Sequence, residues 1–444
     1  MNEITKNKNK NQKQTTVVNT WNGKTYLMNE LGVEIVRLFR QGLKSKTIAQ
    51  VIESRLDTIG IQANFDLQTE TDKIVNNLIK GGFTPINTRI LTSDDDTPPL
   101  IFLQIDISWA CNLRCKHCYL SNTLKEQHHP KADFHPLSSS EWKRVIDQAL
   151  EMNVPKMSVL GGEPMLSDMF FDLSKYASDK GFRLYTTTNG ILVTPEKAKD
   201  FRDAGYRDID VSLDGATVEE HEFLRGKNTF NKTIRGIENL VAAGVEVKVA
   251  CVLHKKNSRN LPAFFNLGKQ LGVKHIYLNS ILPGGEGQEI FDDISLTTDD
   301  WKEILKVVDT WNASGNTPRV FAEPRFIFDR IHAKEEVSDQ AQVYSGCKGG
   351  KRELTLTPDG YAIACSLFSN EKRFYTSNIR EKTLKEIWKE DYWVNEFRKI
   401  NKSNLCSDCQ NCKYVDKCIG GCHASALLKT GSLYNKDPKC DIRF

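Results

Sequence analysis

Twelve cysteines in 444 residues fall into two groups and one isolate. Cys111, Cys115 and Cys118 share one short segment, spaced C-x3-C-x2-C. Cys347, Cys365, Cys406, Cys409, Cys412, Cys418, Cys422 and Cys440 crowd the C-terminal part, and Cys251 stands alone. In a reducing compartment so dense a set points to metal binding or catalysis rather than disulfides. Three thiolates in one tight loop can grip three irons of a four-iron, four-sulfur cluster and leave the fourth iron open. The competing chemistry is a zinc site with His117 beside the three thiolates, and the spacing alone leaves both open. Cys251 sits mid-strand among Val247, Val249, Ala250 and Val252, where a thiol packs as a small hydrophobe.

Strands and helices must position these loops. From 100 to about 310, strand-like runs alternate with helix-like runs. The strands are Ile101–Ile107, Lys156–Leu160, Arg183–Thr187, Asp208–Leu213, Glu246–Val252 and Lys274–Ile281. Ser138 with Glu141 forms a capping box for the first helix, and Thr194-Pro195 starts another. Six strands alternating with helices predict a parallel α/β sheet or barrel, with its ligand at the strands' C-terminal ends. Cys111–Cys118 follows the first strand. Gly161-Gly162-Glu163-Pro164 follows the second, where glycines permit close backbone approach and a carboxylate can meet an ammonium. Thr188-Asn189-Gly190 follows the third, Ser212-Leu213-Asp214-Gly215 the fourth, and Arg225 lies just beyond. Residues 311–344 read as a bridge to the cysteine-rich segment, 345–444.

Residues 1–16 are rich in Asn, Lys and Gln without apolar period, which predicts a disordered tail. Residues 17–95 read as a separate small domain: strands flanking Asn22-Gly23 as a hairpin, then three helices, the last ending at Gly81-Gly82. This pattern is winged-helix-like, and residues 94–99 read as a linker.

The composition, 39% hydrophobic and 27% charged, is that of a soluble globular chain. A net charge of +4 from 61 basic and 57 acidic residues does not suggest a general nucleic-acid binder. No apolar run approaches the ~20 residues that span a bilayer, and the first residues lack a signal peptide's apolar stretch. The expectation is a cytoplasmic protein with no nucleic-acid or membrane partner.

The Cys111–Cys118 loop, with its companions at successive strand ends, resembles the radical S-adenosylmethionine (radical SAM) enzymes. The resemblance implies an α/β fold: a partial (β/α)6 TIM-like barrel between an N-terminal winged-helix-like domain and a C-terminal cysteine-rich iron–sulfur domain. It implies a [4Fe–4S] cluster on Cys111, Cys115 and Cys118, with His117 at the motif's aromatic position. Gly161, Gly162 and Glu163 would meet the SAM amino group, and Ser212 and Arg225 its carboxylate. Asp214 would lie near the ribose, and Asn189 would join the cofactor site. One electron from the cluster would break a carbon–sulfur bond of SAM, and the 5′-deoxyadenosyl radical would abstract a substrate hydrogen. A flavodoxin or ferredoxin would supply electrons.

The C-terminal cysteines resemble the SPASM domain, which carries two auxiliary iron–sulfur clusters, making three [4Fe–4S] clusters in all. By that resemblance Cys347, Cys365 and Cys422 bind the nearer cluster, and Cys409, Cys412, Cys418 and Cys440 the distal one. Zinc knuckles are the alternative. The nearer cluster then lacks a fourth ligand: either Cys406 completes it, or an open iron takes a substrate thiolate. Residues 17–95 resemble the leader-recognition domain of enzymes that modify ribosomally made peptides, which adds the leader as a strand to a sheet edge. The whole is similar to sactipeptide and ranthipeptide synthases, implying Cys sulfur-to-carbon thioether crosslinks in a precursor peptide. Carbon–carbon crosslinking, formylglycine formation and an iron–sulfur DNA-binding regulator are the other readings.

Overall fold

The computed structural model describes residues 15–58, 63, 65–91, 97–120, 134–322, 346–369 and 371–440. Most of the expected tail, half of the linker (94–96) and the larger part of the 311–344 bridge lie outside the described residues.

The hairpin is present: β1 (Thr15–Asn19) and β2 (Thr25–Met28) pair antiparallel, with Gly23 at φ +74° in the turn. The first strand thus begins at Thr15, inside the segment expected to be disordered. Helices α1 (Glu30–Arg40), α2 (Ser45–Thr58) and α3 (Leu67–Lys80) follow, with Asn29 capping the first and Asp66 the third. A third strand, β3 (Thr88–Leu91), pairs with β1 and was not legible in the sequence. The sheet order β2-β1-β3 leaves β2 as an edge. Val17, Ile35, Val36, Ile48 and Leu78 make this domain's own core.

The next strands are all parallel: β4 (Phe102–Ser108), β5 (Lys156–Gly161), β6 (Arg183–Tyr185), β7 (Thr187–Thr188), β8 (Asp208–Ser212), β9 (Glu246–Leu253), β10 (His275–Ser280) and β11 (Arg319–Ala322). Strands β6 and β7 are one extended segment shared by two sheets. At the join, Thr186 Oγ1 donates to the Val159 carbonyl (2.8 Å) while its carbonyl accepts from Asp210 N–H (3.1 Å). Helices α4 (Ser139–Glu151), α5 (Phe170–Asp179), α6 (Pro195–Asp203), α7 (Val218–Arg225), α8 (Phe230–Ala242) and α9 (Leu261–Gln270) fill the connections. This is the expected α/β partial barrel, extended by β11. Alternate residues such as Leu103, Ile105 and Ile107 on β4, and Val247, Val249 and Cys251 on β9, join the large core. Their even-numbered neighbours face the barrel interior.

The C-terminal region continues the barrel wall. Strand β12 (Glu353–Leu356) pairs parallel with β4, and β13 (Tyr361–Ile363) and β14 (Ser377–Asn378) extend the sheet antiparallel. Trp388 Nε1 donates to the Pro98 carbonyl (2.7 Å), and Leu384 N–H donates to Gln148 Oε1 (2.6 Å).

The N-terminal domain docks at the other end. Thr20 Oγ1 donates to the Gly181 carbonyl, Arg89 Nη2 to the Lys180 carbonyl and Arg40 Nη1 to Asn153 Oδ1, each at 2.7 Å. Asn153, Lys180 and Gly181 precede β5 and β6, so this domain touches the strands' N-terminal ends. The Cys111–Cys118 loop lies at the C-terminal ends. Among the described residues no helix is long and apolar enough to cross a membrane.

Candidate active site

The Cys111–Cys118 loop is gripped from several sides. Gly162 N–H donates to the Ser108 carbonyl (2.9 Å) and Glu163 N–H to the Ala110 carbonyl (2.8 Å). Lys116 N–H donates to the Leu224 carbonyl (2.9 Å) and Glu286 N–H to the Cys118 carbonyl (3.0 Å). The two glycines after β5 serve this junction. At Gly161, φ +149°, a Cβ would lie 1.8 Å from the Ser108 carbonyl oxygen, and at Gly162 2.4 Å from that of Ala110. Their bareness therefore admits the backbone of the cysteine loop; close approach to a ligand need not be invoked for it.

Glu163 is buried, with its Oε1 accepting from Thr188 Oγ1 and its Oε2 from Asn189 N–H, both at 2.8 Å. Burial raises its pKa to about 7 against the pull of these donors. Asn189 is a connector: its Nδ2 donates to Asn112 Oδ1 (2.7 Å) inside the cysteine loop. Asp214, expected beside a ribose, is fully buried and committed elsewhere. Its Oδ2 accepts from Arg225 Nε (2.6 Å) and its Oδ1 from Val252 N–H (2.8 Å). Burial raises its pKa, but the Arg225 guanidinium outweighs that and holds it at about 2. The Arg225 charge also acts on the Cys115 thiol, favouring its ionised form against burial. Arg225 is the partner of a protein carboxylate before it can serve any ligand. Ser212 is buried at the end of β8, its hydroxyl forming no hydrogen bond with the described residues.

Three histidines surround this pair. His221 Nδ1 accepts from Asp214 N–H (3.1 Å), and His254 Nδ1 accepts from Lys256 N–H (3.3 Å). His117 Nδ1, His221 Nε2 and His254 Nε2 are buried without partners. Burial keeps all three neutral, with pKa values of about 3, 4 and 4.

Sequence reasoning missed Asn112, His221, His254 and Asn257, whose Nδ2 donates to the Asp214 carbonyl (2.9 Å). It also missed Gly284-Gly285-Glu286-Gly287. A Cβ at Gly285, φ +55°, would lie 2.4 Å from the Cys118 carbonyl oxygen. The available signal was the glycine run at the end of the sixth strand.

None of the twelve cysteines forms a disulfide. Burial raises Cys111 to about 11 and Cys118 to about 12, so this loop stabilises thiolates only with a cationic group to compensate them. Among the described residues no three Cys, His, Asp or Glu converge on a point fit for a single metal ion. In the C-terminal region Cys347, Cys365 and Cys422 are electrostatic neighbours. Cys409 neighbours Cys406, Cys440 and Cys418, and Cys418 neighbours Cys412. Cys406, expected as a candidate fourth ligand of the nearer group, lies beside Cys409, whose N–H donates to the Cys406 carbonyl (3.0 Å). Asp437, also missed, joins the two groups: its Oδ2 accepts from Cys422 N–H and its carbonyl from Cys440 N–H, both at 2.8 Å. Tyr119, next to Cys118, lies within electrostatic reach of Asp106 and Cys365, so the first loop and the nearer group are neighbours.

Residues 105–267 match the radical SAM superfamily, and residues 347–413 match SPASM, an iron–sulfur cluster-binding domain. The chain is 30% identical over 349 residues to an AdoMet-dependent heme synthase of Methanosarcina barkeri, covering 76% of this chain and 95% of that protein. It is 26% identical over 341 residues to mycofactocin maturase MftC of Mycolicibacterium smegmatis, covering 77% and 82%. Streptococcus suis SuiB bound to precursor peptide SuiA shares the fold with a TM-score of 0.69, at 17% identity over 96% of both chains. That coverage is too complete to omit the N-terminal domain.

Proposed function

The chain belongs to the radical SAM superfamily, and on that premise we propose that it modifies a ribosomally made precursor peptide, forming thioether bonds from cysteine sulfur to carbon. Its cofactors are SAM and several [4Fe–4S] clusters. In this reading Cys111, Cys115 and Cys118 hold the cluster that meets SAM. Cys347, Cys365 and Cys422 hold one auxiliary cluster, and Cys409, Cys412, Cys418 and Cys440 the other. The buried, high-pKa thiols and the unpartnered His117 nitrogen suit such groups. When bound, SAM and the clusters supply hydrogen abstraction and electron acceptance.

The chain's own residues orient the cofactor and exclude water. Glu163, held by Thr188 and Asn189, offers a carboxylate to an ammonium. Arg225, aimed by Asp214, and the open Ser212 hydroxyl offer donors to a carboxylate. Gly161 and Gly162 act by letting the cysteine loop close. A flavodoxin or ferredoxin as electron donor and a reducing, cytoplasmic setting complete the reading, in keeping with twelve cysteines outside any disulfide.

The observation that carries the peptide reading is the β2 edge on a domain preceding the barrel. The bond from Asn19 N–H to the Lys24 carbonyl (2.9 Å) sets the hairpin's alternation, so Thr25 and Leu27 turn their backbone groups to the open side. A leader strand can add there. Because the domain docks beneath the barrel, the peptide must then pass the height of the wall. Eight residues of extended chain, the length of β9, span roughly 26 Å. The leader motif and the first modified residue should therefore lie at least about that many residues apart.

The test is anaerobic incubation of the reconstituted enzyme with candidate precursors, taken as any short cysteine-containing peptides encoded near its gene. Mass spectrometry should find two hydrogens lost per crosslink. Leu27→Pro should slow this modification while leaving peptide-independent SAM cleavage intact. Equal modification by the Leu27→Pro enzyme would refute leader capture at β2. The likeness to heme synthases supports a second reading, a tetrapyrrole substrate, and heme formation in a parallel assay would favour it.

A further inference from the structure

A cavity of about 500 Å³ lies in the seam between the N-terminal domain and the barrel. Arg37 and Arg40 of α1, Arg89 of β3, and Asp179 and Lys180 at the end of α5 line it. Its charges do not balance. Arg89 is 1% exposed, yet its guanidinium meets no charge: Nη1 donates to the carbonyls of Ile86 (2.7 Å) and Thr88 (3.2 Å), Nη2 to that of Lys180, Nε has no hydrogen-bond partner, and the group lies 5.4 Å over the Phe182 ring. Arg40 donates to the neutral Asn153 amide oxygen. Neither arginine meets a carboxylate among the described residues. The nearby acids are engaged elsewhere. Glu34 pairs with Arg37 (3.3 Å) and Arg55, Asp147 with Lys180 (2.8 Å), and Asp179 with Lys175.

Burying a guanidinium without a counter-ion is costly, and neutral carbonyls and a ring face offset only part of that cost. Burial depresses the pKa of both arginines. For Arg89 the like charge of Arg40 adds to burial, bringing it to about 10. An oxyanion between the two would relieve both the desolvation and the repulsion, and the fork of an arginine fits phosphate or carboxylate oxygens.

We propose that this seam is an oxyanion-binding site, in which Arg37 and Arg40 close over a phosphate or carboxylate held near the buried Arg89. The bound anion would tie α1 and β3 of the N-terminal domain to the ends of α4 and α5 in the barrel. The cavity is within the ~300–1,000 Å³ range of small-molecule sites, so it has room for an anion carried on a larger molecule. A phosphate group and an acidic peptide side chain share this chemistry. The proposal does not depend on the reading of the reaction.

The experiment uses full-length reconstituted enzyme and two probes, inorganic phosphate and hexaglutamate. Binding is followed by calorimetry and by Tm, with sodium chloride at matched ionic strength as reference. One probe should bind saturably and raise Tm. Arg40→Gln and Arg37→Gln should each weaken half-saturation by roughly tenfold or more, the scale of one lost charge-assisted hydrogen bond. Arg202→Gln, an exposed arginine paired with Asp203, should change nothing. Tighter binding of phosphate assigns a phosphate group, and tighter binding of hexaglutamate assigns an acidic peptide. Equal, unsaturable responses to all salts overturn the site, as does saturable binding that neither variant weakens. If Arg40→Gln fails to fold, Arg37→Gln on the exposed helix face carries the test.

Discussion

Asp214 Oδ2 accepts from Arg225 Nε at 2.6 Å, with the carboxylate fully buried and the guanidinium side chain 11% exposed. The pair links the end of β8 to the end of α7 and sets a cation beside Cys115. Asp214→Asn leaves that buried cation unpaired and should lower the unfolding free energy by about 3–5 kcal/mol, read by urea denaturation. Asp214→Asn combined with Arg225→Met removes both charges and should recover part of the loss. A loss below ~1 kcal/mol for Asp214→Asn, within the range of an exposed pair, would mean that the pair does not hold this corner.

Gly161→Ala tests the junction of β5 with the cysteine loop. The added methyl would meet the Ser108 carbonyl oxygen, a backbone atom that cannot swing aside. The variant should fold with β4 and β5 displaced at their ends, take up less iron at the first site, and lose SAM cleavage. Gly226→Ala, where nothing lies within 4 Å of the new Cβ, is the control for backbone strain at positive φ. Normal iron and SAM cleavage in Gly161→Ala would contradict the steric argument.

The pairing of the C-terminal region with the barrel is acid-sensitive at Glu141. Arg380 Nε donates to Glu141 Oε1 (2.7 Å), and this bond with those from Ser138 lowers the Glu141 pKa to about 2. A depressed carboxylate pKa contributes stability above the ordinary value of 4.5, and that contribution is lost as pH falls through about 2. Glu141→Gln keeps the capping box but removes the charge. It should cost about 0.5–1 kcal/mol at pH 7. Its difference from the unsubstituted chain should shrink from pH 4.5 downward, measured by urea unfolding of the cluster-free chain. A pH-independent difference would assign the effect to packing.

Cys406→Ala separates the two cysteine groups. Cys406 stands beside Cys409, so its removal should leave iron at the Cys347–Cys365–Cys422 site and leave peptide crosslinking intact. Loss of the nearer cluster's spectroscopic signal would instead make Cys406 a ligand of that site and close its open iron.

The barrel strands and the cysteine loops were legible because each rests on local information. Alternating apolar residues mark β4 and β9, a capping box marks α4, and thiol spacing marks the clusters. Strand β3 escaped because Thr88–Leu91 is short and buried throughout, without alternation. Strand β12 carried no sign that its partner would be β4, some 250 residues earlier, since register between distant segments is written in neither segment alone. The motif residues were likewise visible by type but not by partner. Asp214 and Arg225 could each be named from the chain, but only folding reveals that they neutralise one another. That choice follows from burial: in a low-dielectric interior a carboxylate and a guanidinium brought within hydrogen-bonding distance must pair or shift their protonation. The same reason separates Arg40 and Arg89 from the other basic residues, because their isolation from carboxylates exists only once two domains have closed around them.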